Sequence, residues 1–216
     1  MEIFYDAGRS LDQWYSCHSC HQEGGGNARA MDTLNDGTNG TLKTVSPLFS
    51  VTETFPWTWH GWQKDLTKAM HKSITSTMQG KAPSAKDKEA LIAFLKSMPT
   101  PPNPFRGPDG EISESAERGK KVFFSRKAAC ADCHNGPHFT DGKIHDVGLG
   151  RSSDHYRGYN TPTLNGVYRK NRFLHHGKAK SLERVVTDLH SPEKVNGEGD
   201  LSEEEVSDLI AYLKTL

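Results

Sequence analysis

Two stretches of the chain carry nearly the same hydrophobic pattern. LIAFLKSM (91–98) and LIAYLKTL (209–216) repeat apolar residues at spacings of three and four, the period of a helix with one buried face. Ser84 stands three residues before Asp87, and Ser202 three before Glu205, so a capping box is predicted at the start of each closing helix. Further upstream, Leu66 and Leu182 each open another amphipathic helix, five residues past the glycine of an aromatic turn, WTWHG (57–61) or FLHHG (173–177). Short helical approaches are predicted over EIFYDAGRSLDQWYS (2–16) and GKKVFFSRKAA (119–129), and a proline-containing segment follows in each half, VSPLFSV (45–51) and NTPTLNGV (160–167).

These matches recur in the same order at near-equal spacing, which is an internal duplication at domain scale. The prolines and glycines of the join break any helix. The predicted organisation is all-α: one domain over residues 1–98, a Pro/Gly-rich linker over 99–112 and a second domain of the same plan over 113–216. Only 34% of the residues are hydrophobic and mean hydropathy is −0.71. Two domains of that size have lean cores, and small domains of this kind are usually completed by a metal, disulfide or cofactor. Charge is balanced, 27 basic against 27 acidic side chains, which gives no electrostatic footprint for nucleic acid. No apolar run approaches the ~20 residues of a transmembrane helix.

All four cysteines lie in two copies of one motif, CHSCH with Cys17, Cys20 and His21, and CADCH with Cys130, Cys133 and His134. CxxCH is the attachment signature of c-type haem. One helical turn sets the spacing of two thiols that add to the porphyrin vinyl groups, and the next residue offers its imidazole to the iron. The motifs thus predict two covalently attached haem c groups, one in each of two tandem cytochrome c-like domains, with His21 and His134 as proximal iron ligands. A single four-cysteine zinc site and a pair of redox dithiols are the competing readings, and both leave the histidines without a role. His18 is expected at an exposed, variable position. Haem attachment to CxxCH takes place outside the bacterial inner membrane, so the expected location is periplasmic or extracytoplasmic.

The sixth iron position then decides function: a sulfur or imidazole there makes an electron carrier, whereas an open position admits peroxide or oxygen. In the first half Met78, in the loop-like SITSTMQGKAP, is the leading candidate; His60, His71 and an open site are the alternatives, and core filling is the bland reading of a methionine. No methionine follows Met98, so the second half must use another side chain. His190 is the candidate there, against the reading of a helix-end histidine; His145, His175 and His176 are expected to be hydrogen-bond partners to propionates or backbone.

The stretches CADCHNGPHFTDGKIHDVGLG (130–150), NTPTLNGVYRKNRFLHHG (160–177), SLERVV (181–186) and the final helix, with WHGWQKDL (59–66) in the first half, resemble the bacterial dihaem cytochrome c peroxidases and the related methylamine-utilisation dihaem enzyme. The shorter loops and the WYSCHSCH opening look more like dihaem domains at the C-terminus of larger proteins. The resemblance implies that Trp59 is an inter-haem electron relay. It also puts Gln79 where the peroxidases carry an acid–base glutamate, Ala69 where a supporting glutamine stands, and Leu189, next to His190, where the second domain's methionine or tyrosine ligand falls. An amide cannot shuttle the proton that peroxide cleavage needs. The expected function is single-electron transfer between two haems and a redox partner protein or fused upstream domain. Dihaem peroxidase activity on hydrogen peroxide is the alternative, and a haem-stapled structural or sensing module the second.

Overall fold

The computed structural model describes every residue except 35. It is mainly helical, in two halves built on one plan. The first half contains α1 (Glu2–Tyr5), α2 (Cys17–Cys20), α3 (Leu66–Lys72) and α4 (Ala85–Ser97); the second contains α5 (Glu114–Phe123), α6 (Cys130–Cys133), α7 (Leu182–Arg184), α8 (Pro192–Asn196) and α9 (Glu203–Lys214). Each half adds one short antiparallel ladder, β1 (Ala30–Met31) with β2 (Lys43–Thr44), and β3 (Ile144–His145) with β4 (Tyr159–Asn160). No helix among the described residues is long and apolar enough to cross a membrane.

Local chemistry explains most boundaries. Ser84 and Ser202 each accept from the backbone N–H three residues on, and Asp87 and Glu205 reach back to the serine N–H, as the capping pattern requires. Leu66 and Leu182 begin α3 and α7. The approach to the first motif departs from expectation: only residues 2–5 are α-helical, and two 3-10 turns follow. Asp6 accepts from Gly8 N, and the Ser10 hydroxyl donates to Ala7 O while accepting from Tyr15 N. Such local side-chain bonds compete with helix. In the second half α5 covers only residues 119–123 of the predicted approach, with turns from 124 onward, and it crosses α9 at Gly119, where a Cβ would lie 1.8 Å from the Asp208 carbonyl oxygen. Arg118 and Ser115 both donate to the Asp208 carboxylate at this crossing.

Each half has its own core. Phe4, Val51, Met70, Ile74, Met78, Leu91 and Leu95 form one, and Ala116, Phe123, Val186, Leu209, Tyr212 and Leu213 are central to the other. After α3 the chain continues as a π-helical turn over 73–77, and after α7 as another over 185–189. The residue after each turn closes it, Met78 N donating to Ser73 O at 2.9 Å and His190 N to Val185 O at 2.8 Å. Met78 is therefore anchored at a helix end rather than in a loop, and it occupies the same place in its half as His190 does in the other.

The halves meet through a pseudo-twofold. Trp57 bridges Gln63 and Phe173 bridges Ala179, so the two aromatic turns correspond, with Trp59 equivalent to His175. Ala30 pairs with Thr44 as Ile144 pairs with Asn160. Across the interface Thr44 N donates to His175 O at 2.7 Å, and Asn160 N donates to Trp59 O at 2.8 Å; each β-strand reaches the turn of the other half. Gly61 and Gly177, at φ +60° and +64°, close these turns. One ion pair breaks the symmetry: Lys43 Nζ lies 2.5 Å from Asp154 Oδ1, and their side chains are 11% and 4% exposed.

Burial alone would raise the Asp154 pKa, but hydrogen bonds from Lys43 and Tyr159 outweigh it and hold the carboxyl well below the usual carboxylate range. Its contribution to stability is complete above the ordinary aspartate pKa of about 4 and is lost as pH falls through the depressed folded value. Asp154→Asn strands the Lys43 ammonium. The expected loss in urea unfolding of the haem-loaded protein at neutral pH is about 3–5 kcal/mol. Lys43→Met in the same background should recover much of it, and a loss under 1 kcal/mol would show that the pair does not hold the interface.

Candidate haem sites

In both halves the thiols are carried on one turn, α2 or α6, with the histidine at its C-terminal cap. Cys17 packs against the first core and Cys130 against the second. Burial pushes both thiols up, each to about 11. Redox-active CxxC thiols need the opposite shift, so the dithiol reading has no support in the site. The four-cysteine zinc reading fails as well. Among the described residues the one group with metal-ligand spacing is Cys133, Asp141 and His145, which excludes Cys17, Cys20 and Cys130, and the His145 Nε2 is already held by Asp141 at 2.8 Å.

Haem fits what remains. His134 is half-buried, and its Nδ1 meets the Phe139 carbonyl at 3.0 Å, leaving Nε2 as the free ligand nitrogen and fixing the tautomer. His21 is likewise half-buried, and burial lowers its pKa to about 4 despite the nearby carbonyls of Gly25 and Ser46. Neither meets Nδ1 in full hydrogen-bond geometry, so that buried nitrogen has no partner among the described residues. An imidazole held neutral in a dry site is the form that binds iron. His190 repeats this state. Its Nδ1 is buried without a partner, and its pKa falls to about 4 through burial and then through the proximity of His134. The second motif and His190 thus face a shared space. In the first half Met78 is 5% exposed and belongs to the same cluster as Cys17.

The other singled-out residues fall elsewhere. Gln79 is exposed on a backbone at φ +50°, beside Met78 in sequence but not enclosed with it. His18 is half-buried rather than exposed, paired with Glu23 at 3.0 Å and tilted against the Tyr5 ring at 4.8 Å. His60 lies in the interface, its Nδ1 at 2.7 Å from Gly158 O and its ring stacked on Tyr159. Trp59 sits there too: its Nε1 donates to Thr44 O at 2.6 Å, its ring meets His175 edge-on at 6.2 Å, and the Lys170 ammonium lies 5.5 Å above it. Of the three histidines expected to bond propionates or backbone, the His176 Nδ1 accepts from Lys178 N, whereas His145 and His175 bond side chains, those of Asp141 and Tyr159.

The interface network itself had no sequence signature. Tyr159 is stacked between His60 and His175, with centroids at 4.7 and 4.1 Å, and its hydroxyl is 2.6 Å from Asp154 and 3.0 Å from His175 Nε2. Burial, then Coulombic contact with His176, lowers the His175 pKa to about 3. Asp154 lies in RSSDHY, a polar loop with nothing to mark it. The one available hint was the repeat, which puts a histidine at or beside the position of Trp59 in both turns.

The model of the di-haem cytochrome c peroxidases matches residues 1–107, and that of cytochrome c matches 116–216. The chain is 26% identical to the hydrazine synthase subunit gamma of Kuenenia stuttgartiensis, over 99% of this chain and 75% of the relative. It is 31% identical to the methylamine utilization protein MauG of Methylorubrum extorquens, over 59% of this chain and 42% of that protein. Among solved structures, Kuenenia stuttgartiensis hydrazine synthase superposes with a TM-score of 0.85 at 24% identity, covering all of this chain and 85% of the other. A MauG-like protein associated with microbial copper homeostasis superposes with a TM-score of 0.75 at 19% identity, covering all of this chain and 86% of that one. Two cytochrome c-like halves, each with its own CxxCH motif, and matches that together span nearly the whole chain place this protein in the di-haem cytochrome c peroxidase/MauG family.

Proposed function

We propose that the chain is an electron-transfer module with two six-coordinate haems, His21–Met78 in the first half and His134–His190 in the second. The observation that carries this is the equivalence of Met78 and His190: each closes a π-helical turn at the same point of its half. A side chain held at that point by packed helix is a ligand in place, not a mobile cap. Bound haem c supplies the one-electron iron couple; the chain supplies the rest. Cys17 and Cys20, and Cys130 and Cys133, hold the two groups, and the buried histidines remain neutral. Trp59, pinned by Thr44 and facing His175, packs the space between the halves and keeps water out of it.

The surroundings of Trp59 favour tunnelling through the indole over oxidising it. A cation over the ring face is attracted to the neutral indole and repels a hole placed there, so the Lys170 ammonium makes Trp59 a bridge rather than a stopping point. Gln79 adds to this reading. The peroxidase role assigned to that position needs a titrating carboxyl in an enclosed site, whereas Gln79 is an exposed amide. By likeness to a protein named as a hydrazine synthase subunit, the electrons are exchanged with a catalytic subunit or a fused domain, in an extracytoplasmic setting where c-type haem is attached.

Two measurements test this. Met78→Ala should abolish the sulfur-to-iron charge-transfer band of the ferric protein and turn one haem high-spin by electron paramagnetic resonance, while His190→Gly turns the other high-spin and leaves that band in place. High-spin signals from both haems of the unaltered protein would overturn the assignment. Family membership favours a peroxidase as the second reading, and steady-state turnover of hydrogen peroxide with a reduced cytochrome donor separates the two. We expect turnover at or near the uncatalysed level; rates in the usual enzyme range of roughly 1–1000 per second would select the peroxidase.

A further inference from the structure

Arg169, Lys170 and Arg172 of the second half line a pocket whose opposite wall comes from the first: Gly25, Gly26 and Asn27, just past His21, with Thr44, Val45 and Pro47. No carboxylate lines it. Lys170 is half-buried. Its one described partner is the face of Trp59, at 5.5 Å. Arg169 and Arg172 are exposed at the rim, the former over the Phe49 ring and the latter donating to Gly177 O. Lys43 and Asp208, by contrast, each have an opposite charge beside them, Asp154 and Arg118.

We propose that Lys170, with Arg169 and Arg172 at the rim, is an oxyanion site built by the second half onto the first, and that its occupant is a propionate carboxylate of haem 1. A buried ammonium without an anion is unfavourable, and burial alone lowers the Lys170 pKa to about 8; a carboxylate in the pocket would restore it. The pocket wall identifies the source. Gly25 belongs both to that wall and to the surroundings of His21, and Ser46, whose carbonyl lies near His21, sits between two more wall residues, Val45 and Pro47. The cationic pocket therefore adjoins His21, where Cys17, Cys20 and His21 would hold the haem of the first half, haem 1. A free oxyanion such as phosphate has the same chemistry and is the other source. The consequence is that the second half sets the reduction potential of the first half's haem. The cation favours the more negative, reduced state, and the same ammonium lies over Trp59, so ligand charge and electron bridge are controlled by one residue.

The choice of occupant rests on haem at the first motif, so the test begins with intact mass. Two covalent haems on the unaltered protein and on every variant establish that reading independently; one haem or none would remove it without touching Lys170. Spectroelectrochemical titration at pH 7 then follows each haem. Lys170→Gln should weaken reduction of haem 1 about tenfold, a fall of about 59 mV for one electron, and leave haem 2 in place. Lys170→Arg should keep most of the potential. If Lys170→Gln loses haem, the milder Arg172→Gln is read in its place, with a smaller fall in the same direction. A haem 1 potential that does not respond to added sodium phosphate supports the propionate. A phosphate-dependent potential in the unaltered protein that vanishes in Lys170→Gln keeps the site and overturns the propionate as occupant. Unchanged haem 1 potentials in all variants, with or without phosphate, overturn the proposal.

Discussion

Two backbone hydrogen bonds across the middle of the molecule, Thr44 N to His175 O and Asn160 N to Trp59 O, determine how the two halves sit together. Each comes from the second strand of one short ladder and ends on the aromatic turn of the other half, so the contact is a pair of equal contacts related by the pseudo-twofold. Such an arrangement follows directly from duplication, because a self-complementary surface is met by a copy of itself. Breaking either bond would leave a buried polar group unpaired, at about 1–3 kcal/mol. With both in place, Trp59 and His175 are brought face to edge, and everything inferred about communication between the two sites depends on that geometry.

The duplication has since diverged at the positions that carry chemistry. Lys43 in one half corresponds to Tyr159 in the other, and both point to the Asp154 carboxylate. Met31, beside Cys20, corresponds to His145, in the group with Cys133. Trp59 corresponds to His175, and Met78 to His190. Axial ligand identity, nearby charge and burial are the levers that tune a haem potential, and the side chains at the candidate axial positions and the nearby charges differ between the halves.

Hydrophobic supply explains why cofactor and fold are hard to separate here. The second half builds a substantial core because α5 and α9 can approach closely at Gly119. In the first half the approach chain turns away after α1, and its core is smaller. A porphyrin buried at the first motif would therefore stabilise that half more, relative to its own packing, than the second.

The chain alone determined the duplication, the helical class, both CxxCH triads, the capped closing helices and the equivalence of the aromatic turns, since all are local signals: a helix period, a cap, a motif of five residues. It also pointed to Met78 and His190, by their place before or after a helix. Tertiary structure decided the rest. That Met78 and His190 are counterparts depends on two π-helical turns, whose extra residue per turn leaves no trace in hydrophobic spacing. The cluster of Lys43, Asp154, Tyr159, His60 and His175 joins residues up to 132 positions apart, and Lys170 reaches Trp59 across 111. Buried charge pairing and cation–aromatic contact act over a few ångströms of space, and separation along the chain carries no information about that distance.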